Sequence, residues 1–308
     1  MHVFKKVKHV TFKGIKLKPL IMKYIFTLFY LSFSLMACAQ GRFDGVEITI
    51  EPAGENVYML TGAGGNIGIS IGEDGVFMID DQFAPLSEKI KAAIETISDK
   101  PIKFLVNTHF HGDHTGGNTN FAKTGAMIVA HENVRKRLSE NEDASGLPVI
   151  TFSEDATFYM NDNDIFITHV HHAHTDGDAL VYFAQSNVLH TGDTFFNGRF
   201  PYIDLNRGGS IDGDIEAAKK GLMLVNDDTK IIPGHGKIGT KTDYQNYLDM
   251  LIEIRANVQE AITQGKTEEE ITNMESLTSK FFTDEATAKE FISGPKMRAT
   301  VYKSLLKQ

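Results

Sequence analysis

The chain has 308 residues, of which 42% are hydrophobic and 23% charged, with a formal net charge of −9, one Cys and no Trp. That composition supplies enough apolar material for a globular core. The single Cys, at position 38, leaves the folded part without disulfides, thiol catalysis or thiolate metal ligands.

Residues 1–39 hold seven Lys (5, 6, 8, 13, 16, 18 and 23) and no Asp or Glu. They end in YIFTLFYLSFSLMACA, an apolar run closing on small residues. A basic start, a short apolar centre and an A-x-A-like site at Ala37–Ala39 describe a secretory signal peptide. Met22 is an alternative start, since MKYIFTLFY reads as a complete signal alone. A membrane anchor is the competing reading, but the run is shorter than the roughly 20 residues a span needs. LMAC also resembles a bacterial lipobox, in which Cys38 would carry lipid; cleavage after Ala39 would remove it. The expected location is therefore exported, either periplasmic or lipid-anchored to the outer membrane, with the membrane reached only through Cys38. Beyond residue 39, 24 Lys and Arg face 40 Asp and Glu, a net of −16. Such a surface repels phosphate backbones, so no nucleic-acid partner is expected.

Along the chain, VEITIEPAGENVYML reads as two short strands around a turn. NIGISI and VFMID are strands joined by the hairpin signal GEDG. SEKIKAAIETI (87–97) has helical spacing with Ser87 as a candidate N-cap. PIKFLVNTHF is a mostly apolar strand. GGNTNFAKTG, AMIVAH and ENVRKRLSE then read as helix, strand and helix. ATFYM and DIFITHV, then ALVYFAQ and NVLHTGD, are four more strands. DGDIEAAKKGLMLV (212–225) is a helix, and TKIIPGHG a short strand entering a glycine turn. After about residue 241 the chain reads as helical, including YQNYLDMLIEIRANVQEAI and DEATAKEFIS. Strand meanders first, then strands mixed with helices, predict a layered α/β sandwich.

The densest chemistry is NTHFHGDHTGG, residues 107–117, where His109, His111, Asp113 and His114 fall within six positions. In an extended strand end, H-x-H points both imidazoles to one side. Neutral imidazole and carboxylate are zinc ligands. Scattered histidines on a solvated loop are the bland alternative, but this density at H-x-H-x-D-H spacing favours a metal site. Further ligands wait at other strand ends: HHAHTDGD with His171, His172 and His174, HTGDTFF with His190 and Asp193, and IIPGHG with His235.

The order THFHGDH, AHTDGD, HTGDT, PGHG resembles the metallo-β-lactamase superfamily of hydrolases, over residues 55 to 240. The resemblance implies a four-layered αββα sandwich with metals at one edge of its two sheets. It divides the chain into a signal peptide (1–39), a metallo-β-lactamase-like domain (40–240) and a helical C-terminal extension (241–308). It implies two Zn²⁺ ions: one held by His109, His111 and His174, the other by Asp113, His114 and His235, with Asp193 bridging. Asp113 would also orient the nucleophile or relay a proton. Asp80, at the end of VFMID, matches an Asp that supports the first His loop; a surface Asp is the alternative. His169, His171 and His172 fall outside the pattern, as second-sphere or surface groups, and His131 and His190 as packed or hydrogen-bonded ones.

The resemblance implies an exported dinuclear zinc hydrolase that activates water to open a cyclic amide, ester or thioester in a small-molecule substrate, with β-lactamase activity the best-known case. The Cys that marks one lactamase branch is absent at position 193. The export signal speaks against tRNA processing and a cytosolic glyoxalase role. The alternative is a persulfide dioxygenase of the same fold with one iron, which shares the first motif. Residues 195–210 are expected to border the pocket, with Arg199, Tyr202, Asn206 and Arg207 as candidate contacts for a substrate carboxylate. The hairpin at Gly62–Asn66 is expected to form a flap.

Overall fold

The computed structural model describes residues 41–140 and 144–307. The expected signal peptide and Cys38 lie outside the described residues. Val46–Gln308 forms one compact unit.

Its centre is a pair of sheets. The first takes strands in sequence order: β1 (Thr49–Gly54), β2 (Val57–Thr61), β3 (Ile67–Ser70), β4 (Val76–Ile79), β5 (Ile102–Asn107), β6 (Met127–His131) and β7 (Ile150–Phe152). β1 to β4 are antiparallel, and β4 to β7 parallel. The second runs in the order β12 (Lys230–Ile232), β11 (Val188–His190), β10 (Ala179–Phe183), β9 (Asn163–His169) and β8 (Asp155–Met160). Residues alternate across a strand, so each strand offers one face to the other sheet. Val57, Phe77, Ile79, Val106 and Val129 from the first sheet and Ile165, Ile167, Val181, Phe183 and Ile232 from the second form one buried cluster. Burying such residues contributes about 1.5–3 kcal/mol each. Phe77, Phe158 and Phe183 meet edge-on at ring separations of 5.3 and 6.1 Å.

Helices cover both outer faces. On the first sheet, α1 (Ser87–Glu95) buries Ile90 and Ile94. The one-turn α2 (Gly112–Thr115), α3 (Asn118–Ala122) and α4 (Glu132–Leu138) follow. The His131 side chain caps α4 by accepting from Asn133 N–H. On the second sheet, α5 (Ile211–Leu224) and α6 (Lys241–Thr263) share a cluster with Leu180, Leu189 and Ile231 of its strands. The result is the helix–sheet–sheet–helix order expected.

The chain after residue 241 is helical in pieces. α6 opens with a reciprocal cap between Thr240 and Asp243, and α7 (Glu268–Asn273) with one between Thr267 and Glu270. α8 (Asp284–Thr287) and α9 (Gly294–Leu306) complete it. DEATAKEFIS is helical only over α8. Thr287 Oγ1 there accepts from Gly294 N–H, and Pro295 in the first turn restarts the helix as α9. The fully buried Arg298 guanidinium ties these pieces together, donating to Asp284 Oδ1 and Oδ2 (both 2.8 Å), Thr278 Oγ1 (2.6 Å) and Thr272 O (2.7 Å).

Candidate metal centre

The centre forms where four connections meet at one edge of the sandwich. β5 ends at Asn107, and the backbone then turns on Asp80. Asp80 Oδ1 accepts from Thr108 N–H (2.8 Å), and Oδ2 accepts from Thr108 Oγ1–H and from His114 Nδ1–H (both 2.7 Å). Asp80 is fully buried at φ +59°, a left-handed conformation that is uncommon outside glycine and often marks a functional site. The supporting role expected for Asp80 is thus visible as three hydrogen bonds. His111 then precedes α2, which carries Asp113 and His114.

His174 comes from the β9–β10 loop, where Asp178 accepts from Thr175 N–H and Oγ1–H (both 2.6 Å). Burial raises the Asp178 carboxyl to about 7. Asp193 lies in a single 3-10 turn after β11, and His235 follows β12. A Cβ on Gly234 would sit 2.1 Å from Asp193 Oδ1, so glycine leaves the room that carboxylate occupies.

The seven side chains converge as two groups: His109, His111, His174 and Asp193, and Asp113, His114 and His235, with ligand atoms of each group within 4.8 Å of one another. Asp193 divides its oxygens between them. Oδ2 faces the first group, 3.8 Å from His109 Nε2 and 3.6 Å from His174 Nε2. Oδ1 faces the second, 3.0 Å from His114 Nε2 and 3.4 Å from His235 Nε2. Asp113 Oδ2 lies 3.4 Å from His235 Nε2.

The outer hydrogen bonds fix which ring nitrogen points inward. His174 Nδ1–H donates to Tyr202 O (2.6 Å), His114 Nδ1–H to Asp80, and His109 Nδ1–H to Thr108 Oγ1 (3.1 Å). Nε2 of His109 and His174 is therefore left as an inward lone pair in the neutral ring, and His114 Nε2 turns inward toward Asp193. His111 is reversed: Nε2–H donates to Asp204 Oδ2 (3.1 Å), and Nδ1 faces inward, 2.9 Å from His174 Nε2. Buried lone pairs that meet without a proton between them are the situation a cation relieves. His109 Nε2, His114 Nε2 and Asp193 Oδ1 are likewise buried without a hydrogen bond of acceptable geometry, although two of them lie only 3.0 Å apart. Buried polar groups are almost always satisfied, so these orphaned atoms fit cation ligands.

The charges divide along the same line. Burial, with nearby imidazoles, drives His109 far down and His174 to about 4, which keeps both rings neutral at pH 7. Burial also opposes charge on His114 and His235, but Asp193 and the other carboxylates outweigh it, raising His114 well up and His235 to about 9. For Asp113, burial pushes upward, yet the hydrogen bond from His235 and the His114 charge win and hold it at about 2.

The structure adds groups that the sequence reading did not single out. Asp204 fixes His111. Asn66 straps two loops together, its side-chain amide donating to Pro233 O (2.9 Å) and Gly236 O (2.8 Å), its backbone N–H to Gly234 O (2.7 Å). Gly65 N–H donates to Asp113 O (3.1 Å), and Gln82 Nε2–H to Gly65 O (2.7 Å). The hairpin expected as a flap is thus tied to the ligand loops at its Gly65–Asn66 end, through both backbone N–H groups and the Asn66 amide, while Ala63 within it is exposed.

Among the described residues, the remaining histidines stand apart from the two groups. His131 stacks on His169 at 3.8 Å, His171 lies 3.4 Å from Glu154, and His172 meets Gly208 O. His190 Nδ1 accepts from Gly192 N–H (3.1 Å), and Nε2–H donates to Asn66 O (3.2 Å). Of the expected carboxylate contacts, Arg207 is engaged by Glu140 at 2.9 Å and Arg199 by Glu290 at 3.8 Å. Asn206 donates its backbone N–H to Asp204 Oδ1 (3.1 Å). The Tyr202 ring packs on His111 and His174, at 5.7 and 5.6 Å.

Known proteins share this architecture. A metallo-β-lactamase from Pontibacter korlensis superposes with a TM-score of 0.60 at 21% identity, covering 67% of this chain and 99% of that one. A stereoselective inverting sec-alkylsulfatase from Pseudomonas sp. superposes with a TM-score of 0.66 at 17% identity, covering 83% and 50%. In sequence, the alpha subunit of 2,4-dinitroanisole O-demethylase from Nocardioides sp. (strain JS1661) is 28% identical, over 49% of this chain and 47% of its own. The hydroxyacylglutathione hydrolase of Pelagibacter ubique is 29% identical, over 47% and 57%. The chain spans about half the length of the curated relatives it matches. Residues 60–235 match the sequence profile of the Metallo-beta-lactamase superfamily, and the chain belongs to that family.

Proposed function

We infer that this chain is a hydrolase using two zinc ions, held in the two groups described, to open a cyclic amide, an ester or a thioester. The observation that carries this reading is the division of Asp193, one carboxylate oxygen to each group of nitrogens. Zinc pairs, when bound at such sites, polarise a carbonyl and bring the pKa of water to roughly 7.

The chain's own groups define the rest. His109, His174 and His111 present three lone pairs in fixed tautomers, which costs no reorganisation on loading. Asp113, 29% exposed where the centre opens, is ionised at neutral pH. Its Oδ2 faces His235, which leaves Oδ1 to take the proton of the attacking water. The hydroxyl adds to the carbonyl carbon, the C–N, C–O or C–S bond breaks, and the proton passes to the departing heteroatom. Relatives named hydroxyacylglutathione hydrolase and fold neighbours named metallo-β-lactamase support the thioester and cyclic amide arms of this set.

The test is turnover of a chromogenic cephalosporin, a lactone and an acyl thioester by zinc-loaded residues 40–308. Asp113→Ala and chelated protein serve as controls. Hydrolysis of at least one class, falling at least about 100-fold in both controls, is the expected result. Hydrolysis that survives chelation would overturn it. The basic leader and small-residue site of residues 1–39 support export, with periplasmic release or an anchor at Cys38.

A further inference from the structure

An aromatic row leads from the centre to the surface. Tyr202 packs on His111 and His174 at ring separations of 5.7 and 5.6 Å. On its outer side it meets Phe291 at 5.5 Å, edge-on at 71°. Phe291 belongs to the C-terminal helical part, in the turn between α8 and α9, far along the chain from every ligand residue. Its backbone is anchored: Lys296 Nζ donates to Phe291 O (3.0 Å), the adjacent Ile292 is buried, and Glu290 N–H donates to Thr287 O (3.0 Å). The residue is nevertheless 69% exposed.

A single exposed apolar residue is ordinary. This one continues, without a break, a row that begins on two side chains of the metal centre. Lys296 also lies 5.7 Å from the Phe291 ring, which gives the aromatic a cationic neighbour. The row offers aromatic surface, with the two rings edge to face, to whatever is attached to a bond held at His111 and His174.

We propose that Phe291 and Tyr202 form a platform that binds a planar apolar group, such as a phenyl ring, next to the scissile bond of the substrate. The C-terminal helices thereby contribute to specificity. The claim rests on the hydrolase reading for the word substrate, but the platform itself requires no metal.

The test separates the two. Chelated protein is titrated with N-benzylacetamide, an unreactive probe, by saturation-transfer NMR, with N-butylacetamide as the non-planar comparison. Saturable benzyl binding that weakens about 3- to 10-fold in Phe291→Ala, and stays within about twofold in Phe291→Tyr, is expected from the usual strength of an aromatic pair. Butyl binding should change less than benzyl binding. Equal benzyl binding by wild-type and Phe291→Ala protein, or no saturable benzyl binding in either, would overturn the platform. In a parallel assay, zinc-loaded protein is given phenylacetyl and acetyl thioesters. Loss of the phenylacetyl preference in Phe291→Ala supports the platform, and an unchanged preference counts against it. Benzyl binding through Phe291 without turnover of either thioester would leave the platform standing and remove only the thioester arm of the hydrolase reading.

Discussion

Replacing Gly65 by Ala should cost this centre half of its metal. A Cβ at Gly65 would lie 2.0 Å from His114 Cε1, 2.2 Å from Nε2 and 2.7 Å from Nδ1. Non-bonded carbons settle at about 3.5–4.0 Å, so the ring or the backbone must give by roughly 1.5 Å. The ring has nowhere free to go. It is fully buried, and its Nδ1–H is bonded to Asp80, itself buried. If the backbone retreats instead, it gives up the bonds to Asp113 O and from Gln82, each worth about 1 kcal/mol net. The first route displaces His114 from Asp113 and Asp193, the second unties the backbone of Asp113, and a misplacement of about 1 Å can cost on the order of 100-fold in rate. Gly112 lies between two ligand residues, yet a Cβ there meets nothing within 4 Å, so Gly112→Ala is the matched control. Zinc per chain after desalting should be about two for wild-type and Gly112→Ala protein and about one for Gly65→Ala, with turnover down at least 100-fold in the last. Gly65→Ala protein that keeps two zinc ions and near wild-type turnover would refute the reasoning.

Asp204→Ala removes the acceptor for His111 Nε2–H and frees that ring to choose its other tautomer. Outer partners of this kind are typically worth 10- to 100-fold in metal affinity. Competition against a chelating dye should show that loss at one of two sites, with Asp204→Asn closer to wild type; unaltered affinity would remove Asp204 from the centre. In chelated protein, His235 is raised from 6.5 to about 9, so its contribution to stability is full below pH 6.5 and is lost as pH rises through 9. The Tm of chelated wild-type protein should therefore fall over that window more steeply than that of His235→Asn. Parallel curves would show that the pairing of His235 with Asp193 and Asp113 is not stabilising.

The seven converging residues were legible because each lies in the connection that follows a strand and because three motifs pack several donors into a few positions. Asp80 was legible for the same reason, as the last residue of VFMID. Asp204 was not: it is one acid among 40 Asp and Glu, and only the fold brings it against His111 across 93 residues. The tied end of the Gly62–Asn66 hairpin was not legible because its glycines signal freedom, whereas Gly65 is there for lack of space beside His114. β7 spans three residues, too short for any periodicity. The end of DEATAKEFIS fails as a helix because local propensity is overridden by tertiary bonding, Thr287 to Gly294. The helices after residue 241 were readable as helices, but their amphipathic pattern does not say what they face. The contact of Phe291 with Tyr202 depends on that packing.

The most direct test of the account is the metal itself. Protein purified without added metal, then loaded with zinc and desalted, should carry about two zinc ions per chain by elemental mass spectrometry. Asp193→Ala, which removes the carboxylate shared by both groups, should carry fewer than one. About one iron per chain as purified, with no second ion taken up on loading, would contradict the two-metal hydrolase and favour a single-iron oxygenase of the same fold.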